Sequence, residues 1–388
     1  MASIGWALLL FLAQLQTLLS TSVVRRADAG HLTNLPVPFL CHPDQAKALL
    51  QLKRSFDFSG STTRLLSWRN GTDCCLWEGV GCDTSSGQVT ILDLNNRHLY
   101  SNNLDPVLFS FISLRHLDLS NNDIGGFIPA PGFERYSDYY HDVFSYPTYY
   151  DSFFNELWQS NFDILLANLS NLRELYLDCL DFSGTGEEWG KSLATSVLSL
   201  AGCGLTGPID KSLMRLDSLS VINLQENFGI TAGPFPEFFM DFLNLTVLQL
   251  SWTNLEGQFP YGSFKSKNLR VRDLSSNQNL SGNFPNFSSV SSLETLLLDR
   301  TNFSYARPMT SSNFLSLKEL SFGGNFSVDF LYSFGRLGSL SRLDLDLDSI
   351  TELGPIFSWI GHHENLMSLV FNSCNFSEIV PTLLTSRP

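Results

Sequence analysis

The segment Leu245 to Pro260, LTVLQLSWTNLEGQFP, sets leucines at positions 1, 4, 6 and 11 of a frame that closes on Gly257, Phe259 and Pro260. Such spacing predicts a short strand that carries the first leucines inward and leaves positions 2, 3, 5, 7 and 8 facing out. Position 9 then turns the chain through a buried hydrogen-bonding side chain. One unit of this kind cannot bury its own apolar edge, so it requires similar units on either side.

Those units are present. Position 1 recurs at Val89, Leu114, Leu172, Thr195, Leu219, Leu245, Leu269, Leu293, Leu317, Leu340 and Leu366, in steps of 25, 58, 23, 24, 26, 24, 24, 24, 23 and 26 residues. This is the leucine-rich repeat pattern. The tail Gly257-Gln258-Phe259-Pro260 returns as Gly282-Asn283-Phe284-Pro285 and more loosely as Gly126-Phe127-Ile128-Pro129. That ending resembles the plant-specific class of these repeats. The expected fold is an α/β leucine-rich repeat solenoid of about eleven coils, a right-handed curved superhelix with a parallel concave sheet.

The frame has one large defect and two small ones. The step of 58 residues leaves an insert over 131–163, with twelve aromatic residues between Phe133 and Phe162 and no L-x-x-L-x-L unit. Coils 1 and 2 therefore span 89–130 and coils 3 to 11 span 164–388. Thr195 takes position 1 of its coil, so the approach to that coil is expected to be shortened. Arg272 stands at position 4, which points inward; an unpaired buried guanidinium would cost several kcal/mol, so Arg272 is expected to snorkel outward or to find an acid.

Residues 1–29 read as a secretory signal, because the apolar run from Ile4 to Leu19 is too short and too interrupted for a comfortable membrane span. Cleavage after Ser22 or after Ala29 is compatible with the sequence. No later stretch approaches 18 apolar residues, so no membrane span is expected after the signal. Cysteine usage agrees with secretion. Cys41, Cys74, Cys75 and Cys82 precede the repeats, and four cysteines allow three pairings. A zinc site is disfavoured, because adjacent cysteines are poor tetrahedral ligands. Cys203 and Cys374 fall at position 9, where Asn122, Asn227, Asn277 and Asn325 stand in other coils, and are expected to fill core; Cys179, at position 8, is expected to be a free thiol.

Asn70, Asn168, Asn244, Asn279, Asn286, Asn302 and Asn375 are expected glycosylation sites, each in an N-x-S/T sequon. An eighth sequon, at Asn325, coincides with position 9 and is expected to stay bare. The 24 basic and 38 acidic residues give a net charge of −14, which argues against nucleic acid as partner. Enzymatic chemistry finds little footing. There is no P-loop, G-x-S-x-G elbow or H-E-x-x-H, and no cofactor or metal site is expected. Asp344 and Asp346 could form a carboxylate pair for acid–base work, but a solvated recognition face is the favoured reading.

The block Asp73-Cys74-Cys75-Leu76-Trp77-Glu78-Gly79-Val80-Gly81-Cys82 resembles the N-terminal cap of plant leucine-rich repeat proteins, here over 41–83, and that resemblance implies bridges Cys41 to Cys74 and Cys75 to Cys82. From the cap through Leu114-Arg115-His116-Leu117-Asp118-Leu119-Ser120 to the last coil, the chain is similar to plant leucine-rich repeat receptor-like proteins, especially the wilt-resistance (Verticillium-type) immune receptors, in an apparently shortened form. The family implies an extracellular ligand-binding solenoid that perceives pathogen or self peptides and signals through a co-receptor kinase. It also implies a plasma-membrane location for any longer form that carries the family's membrane helix. A secreted inhibitor of pathogen cell-wall hydrolases and a non-functional decoy are the alternative readings. The ligand is expected to be a peptide or protein on the concave face, formed by Arg115, His116, Asp118, Arg173, Tyr176, Asn223, Gln249, Trp252, Arg270, Asp273, Glu294, Asp299, Arg300, Arg342, Asp344 and Asp346. Trp252 is the leading anchor, with packing over the turn beside Leu255 as its alternative role.

Overall fold

The computed structural model describes residues 40–56, 65–101, 105–124, 168–180, 182, 193–260, 265–283, 292–304, 316–323, 337–346 and 364–372. The signal region, the insert over 131–163, Asn286, Asn325, Cys374 and Asn375 lie outside these residues. All described residues belong to the compact unit Leu40–Pro388.

A 12-stranded sheet runs through this unit. Its first strand, Val80–Cys82, is antiparallel to Val89–Asp93; the other eleven strands (12 − 1) are parallel and in chain order. They fall one to a coil in the eleven coils that the leucine frame demands. Register repeats from coil to coil: Ile222 pairs with Leu248, Leu248 with Arg272, and Arg272 with Leu296. Across the step of 58 residues the ladder does not break, because Leu117 pairs directly with Leu175.

The alternation of side chains along each short strand explains the core. Leu248 and Leu250, Leu296 and Leu298, and Leu343 and Leu345 are fully buried, and they join one apolar cluster that extends from the cap to the last described coil. Behind the long sheet, helical turns return the chain. Pro106–Ser110 is capped by Asp105 accepting from the Val107 amide, and Lys211–Arg215 by Asp210 accepting from Ser212. A second parallel sheet contains Gly233–Pro234, Leu255–Gln258, Asn279–Asn283 and Asn302–Ser304. The Phe259 of the Gly-Gln-Phe-Pro tail packs there between Phe235 at 4.7 Å and Phe303 at 6.0 Å.

The turn after each strand is the most regular feature of the fold. Position 8 is left-handed in every described coil from the first to the eighth: Asn96, Asn121, Cys179, Gly202, Glu226, Trp252, Ser276 and Arg300 have φ between 52° and 62°. From the second coil to the eighth, position 9 then enters the core. Asn277 accepts the amides of Thr253 and Leu255 and donates to the carbonyls of Leu250, Leu274 and Ser275, joining two coils. Asn227 repeats this set two coils earlier, on Cys203, Leu205, Leu200, Leu224 and Gln225. Cys203 fills its own position 9, buried, with its thiol against the Leu177 carbonyl at 3.1 Å.

The cap closes the first coil. Helix Pro43–Ser55 buries Leu49 and Leu52, while Trp68 and Trp77 stack at 5.6 Å. Bridges join Cys41 to Cys74 and Cys75 to Cys82, the pairing that the resemblance implied. The sulfurs of Cys41, Cys74 and Cys75 lie within 4.8 Å of one another, but as disulfide sulfurs they are not thiolate ligands. Gly79 has φ 74°, and a Cβ there would meet the Asp93 carbonyl oxygen at 2.0 Å, so only glycine lets the cap strand seat on the first coil.

Arg272 does not take the first of its two expected courses. It does not snorkel: it is 1% exposed, with Leu248 and Leu296 as its register partners, and burial lowers its pKa to about 9. Position 4 lies in the middle of a three-residue strand whose neighbours both point their leucines inward, so the stem has no exit along the sheet.

Candidate functional site: the outer face of the long sheet

The outward positions of successive strands lie side by side, so residues about 24 apart in sequence become neighbours on one face. A polar ladder crosses it at positions 5 and 7. Asn95 donates to Asp118; Ser199 and the Ala201 amide donate to Asp178; Asn223 donates to Ser199; Gln249 donates to Gln225; and Ser321 donates to Asp299. Beside it runs a charged row at positions 2 and 3. His116 meets Glu174 at 2.8 Å, Glu294 lies between Arg270 at 2.6 Å and Lys318 at 2.8 Å, and Arg342 bridges Glu319 at 3.2 Å and Asp344 at 2.8 Å. Lys318 and Arg270 hold the Glu294 carboxyl below its ordinary range.

Of the residues expected on this face, Arg115, Arg173, Arg270, Arg300 and Arg342 are exposed. His116, Asp118, Tyr176, Asn223, Gln249, Trp252, Glu294, Asp299, Asp344 and Asp346 are half-buried. Asp273 is the correction. It is 6% exposed, accepts from the Ser275 amide at 2.9 Å and its hydroxyl at 2.7 Å, and is not available to a ligand. A short carboxylate at position 5 followed by serine at position 7 closes a local ring of hydrogen bonds, and here the ring pulls the acid down among its neighbours. Asp344 and Asp346 are not a free pair either, since Asp344 is committed to Arg342.

Charge is distributed unevenly along the face. Towards Arg342 the acids are matched by bases, but at Asp178, Glu226 and Asp273 they are not. Burial, with Asp178 and Asp273 nearby, raises the Glu226 pKa; burial outweighs the hydrogen bonds from Ser199 and Ala201 to raise that of Asp178. The Cys179 thiol is exposed and free, and burial of its sulfur environment with the charges of Asp178 and Glu226 pushes its pKa up, away from nucleophilic use. Trp252 packs edge-on against Phe228, with ring centroids 5.5 Å apart. Trp252 and Glu226 both stand outward at position 8 of adjacent coils, and the left-handed turn brings the position-8 side chains into one row.

Asn70, Asn168, Asn244, Asn279 and Asn302 are exposed. None stands on a strand of the long sheet; Asn279 and Asn302 are on the second sheet.

Comparison with known proteins agrees with this architecture. Residues 42–83 match the leucine rich repeat N-terminal domain and residues 113–133 the leucine rich repeat. The chain is 30% identical over 299 residues to Receptor-like protein 9DC1 of Solanum pimpinellifolium, covering 72% of this chain and 31% of that protein. It is also 30% identical over 303 residues to Receptor-like protein 6 of Arabidopsis thaliana, covering 72% of this chain and 27% of the relative. The chain belongs to the plant leucine-rich repeat receptor-like proteins. It spans about a third of the length of these curated relatives. Among solved structures, the Arabidopsis receptor kinase HAESA ectodomain with an IDA peptide hormone superposes with a TM-score of 0.57 at 21% identity, over 78% of this chain and 45% of that one. That likeness shows the repeat fold. No helix among the described residues is long and apolar enough to cross a membrane.

Proposed function

We propose that this chain is an extracellular, ligand-binding part of a receptor-like protein, reached through the secretory pathway, and that the outer face of the long sheet takes a peptide ligand. A co-receptor kinase then completes signalling, in pathogen perception or defence. The observation that carries this reading is the contrast between two surfaces. The exposed sequons Asn70, Asn168, Asn244, Asn279 and Asn302 stand away from the long sheet, while that sheet presents mixed charges, amides and an aromatic pair across neighbouring coils. Glycans at those asparagines would leave the face open. Binding without catalysis suits the residues too, since much of the face's charge is paired across coils and the pKa of the Cys179 thiol is raised. The relatives named above are receptor-like proteins, which favours a receptor over a hydrolase inhibitor.

A glycan wedge tests it. Gln249→Asn creates Asn-Leu-Ser at positions 249–251, in the centre of the face. The full chain, secreted from plant cells, is panned against a displayed library of random dodecapeptides. Selected peptides are expected to lose binding to the glycosylated Gln249→Asn chain and to keep it on Asn279→Gln. Peptides indifferent to the wedge would overturn the reading.

A further inference from the structure

We propose that Glu226, Trp252 and Phe228 form a subsite on this face for a cationic side chain, arginine or lysine, of the bound peptide. The inference rests on the reading of the long sheet as the peptide-binding face. Its geometry comes from the position-8 row. The Glu226 amide donates to the Ser251 carbonyl at 2.9 Å and the Trp252 amide to that of Ser275, so Glu226 and Trp252 are held on adjacent coils by the backbone itself. Both have left-handed φ, 61° and 55°, an unusual conformation for residues of this size, which fixes the direction in which each side chain leaves the sheet.

Three observations give the chemistry. The Glu226 carboxylate is half-buried and has no ion pair or side-chain hydrogen bond among the described residues, whereas Glu174, Glu294, Glu319 and Asp344 on the same face all have a basic partner. On its other side, position 8 of the preceding coil is Gly202, so the row has a notch where a side chain would stand. On the near side, Trp252 and the 36%-exposed Phe228 offer an edge-to-face aromatic pair. A cation seated over Glu226, with the notch open on one side and the aromatic pair on the other, would meet a carboxylate and an aromatic surface together, relieving the repulsion from Asp178 and Asp273 that Glu226 now bears. An acidic or purely aliphatic side chain would gain neither. Nothing comparable exists near Glu294, where Arg270 and Lys318 already supply the charge.

The same displayed dodecapeptide library provides the test. Peptides whose binding is blocked by the Gln249→Asn wedge are expected to be enriched in arginine or lysine. Their synthetic forms should lose about tenfold in affinity when that residue becomes citrulline or norleucine, as one cation–π and charge contact would give. Glu226→Gln and Trp252→Leu should each lose a similar factor with the cationic peptide, and neither should weaken the citrulline form further. Melting curves of the variants report whether each still folds, and Glu226→Asp gives partial rescue without altering the charge. Wedge-sensitive peptides that lack a cation, or cationic peptides indifferent to both variants, would overturn the subsite while leaving the binding face intact. Peptides insensitive to the wedge would instead remove the reading beneath it.

Discussion

Asn277 Oδ1 accepts the amide of Leu255, 22 residues earlier in the chain, at 2.9 Å. The bond binds one coil to the next. It places a buried carboxamide where each partner amide would otherwise face apolar side chains with no water to replace it. Asn227 and Asn122 reach back to the preceding coil in the same way. The spacing of these asparagines is thus a stability requirement rather than a mark of family.

Asn277→Ala should destabilise the chain by about 3–5 kcal/mol, because two amides and three carbonyls lose a partner and each unsatisfied buried group costs roughly 1–3 kcal/mol, partly relieved by relaxation. Urea denaturation of the two chains would measure it. Asn254→Ala, one of the exposed asparagines, should cost much less, although Asn254 also bonds the preceding coil. Comparable losses in the two variants would contradict the argument.

Nearly all of the fold was legible in the sequence, since a period of about 24 with leucines at fixed offsets has a single packing solution. Position 1 fell on a strand approach in each coil, Thr195 included, which is 1% exposed and takes the place of a leucine without breaking the ladder. The site was less legible. The frame says which side chains leave the sheet but not which of them their neighbours then claim, so Asp273 was placed outside although it is buried. Arg272 shows the opposite limit, where the frame pointed inward and chemistry argued for an exit that the strand geometry does not offer.

The two cap bridges should differ in weight. Cys41 and Cys74 are separated by 33 residues and Cys75 and Cys82 by 7. Loop-closure entropy then predicts a loss of about 4 kcal/mol on removing the first and about 2 kcal/mol on removing the second. Paired Cys→Ser variants in thermal or urea unfolding would test the order, which should invert only if native strain dominates.

Stability should pass through a maximum on the acid side of neutrality. The raised carboxyls of Asp178, Glu226 and Asp273 bind protons more readily in the folded chain than in the unfolded one, so their penalty is present above their folded pKa values and fades as pH falls toward the ordinary carboxylate range. Two acids of the cap act the other way. Hydrogen bonds from Ser85 and Ser86 hold Asp83 down to about 2; at Asp73 desolvation is outweighed by the amides of Leu40, Cys75 and Cys41. Their stabilising contribution is complete above the ordinary value of 3.8 and is lost as pH falls through the folded values. Glu226→Gln should therefore flatten the rise below neutral pH and leave the acid limb in place. Melting temperature against pH for the two chains reads both limbs, and an unchanged profile would count against the shift at Glu226.

Arg272 gives the sharpest expectation, because its neighbours in register are leucines and its side chain is enclosed. Replacing a buried charge by an apolar side chain of similar length is commonly neutral or stabilising by about 1–4 kcal/mol, so Arg272→Met should be at least as stable as the native chain at neutral pH. The pH dependence separates this from simple packing. Burial lowers the folded pKa to about 9 while the unfolded chain keeps the higher ordinary value of a guanidinium, so the folded state releases its proton first and native stability should rise as pH increases above about 9. The Met variant has no such group and should show a flatter alkaline limb. If Arg272→Met proves several kcal/mol less stable, then the guanidinium's contacts within the core stabilise it beyond its desolvation cost, and the coil depends on arginine at a position where every neighbouring coil uses an aliphatic residue.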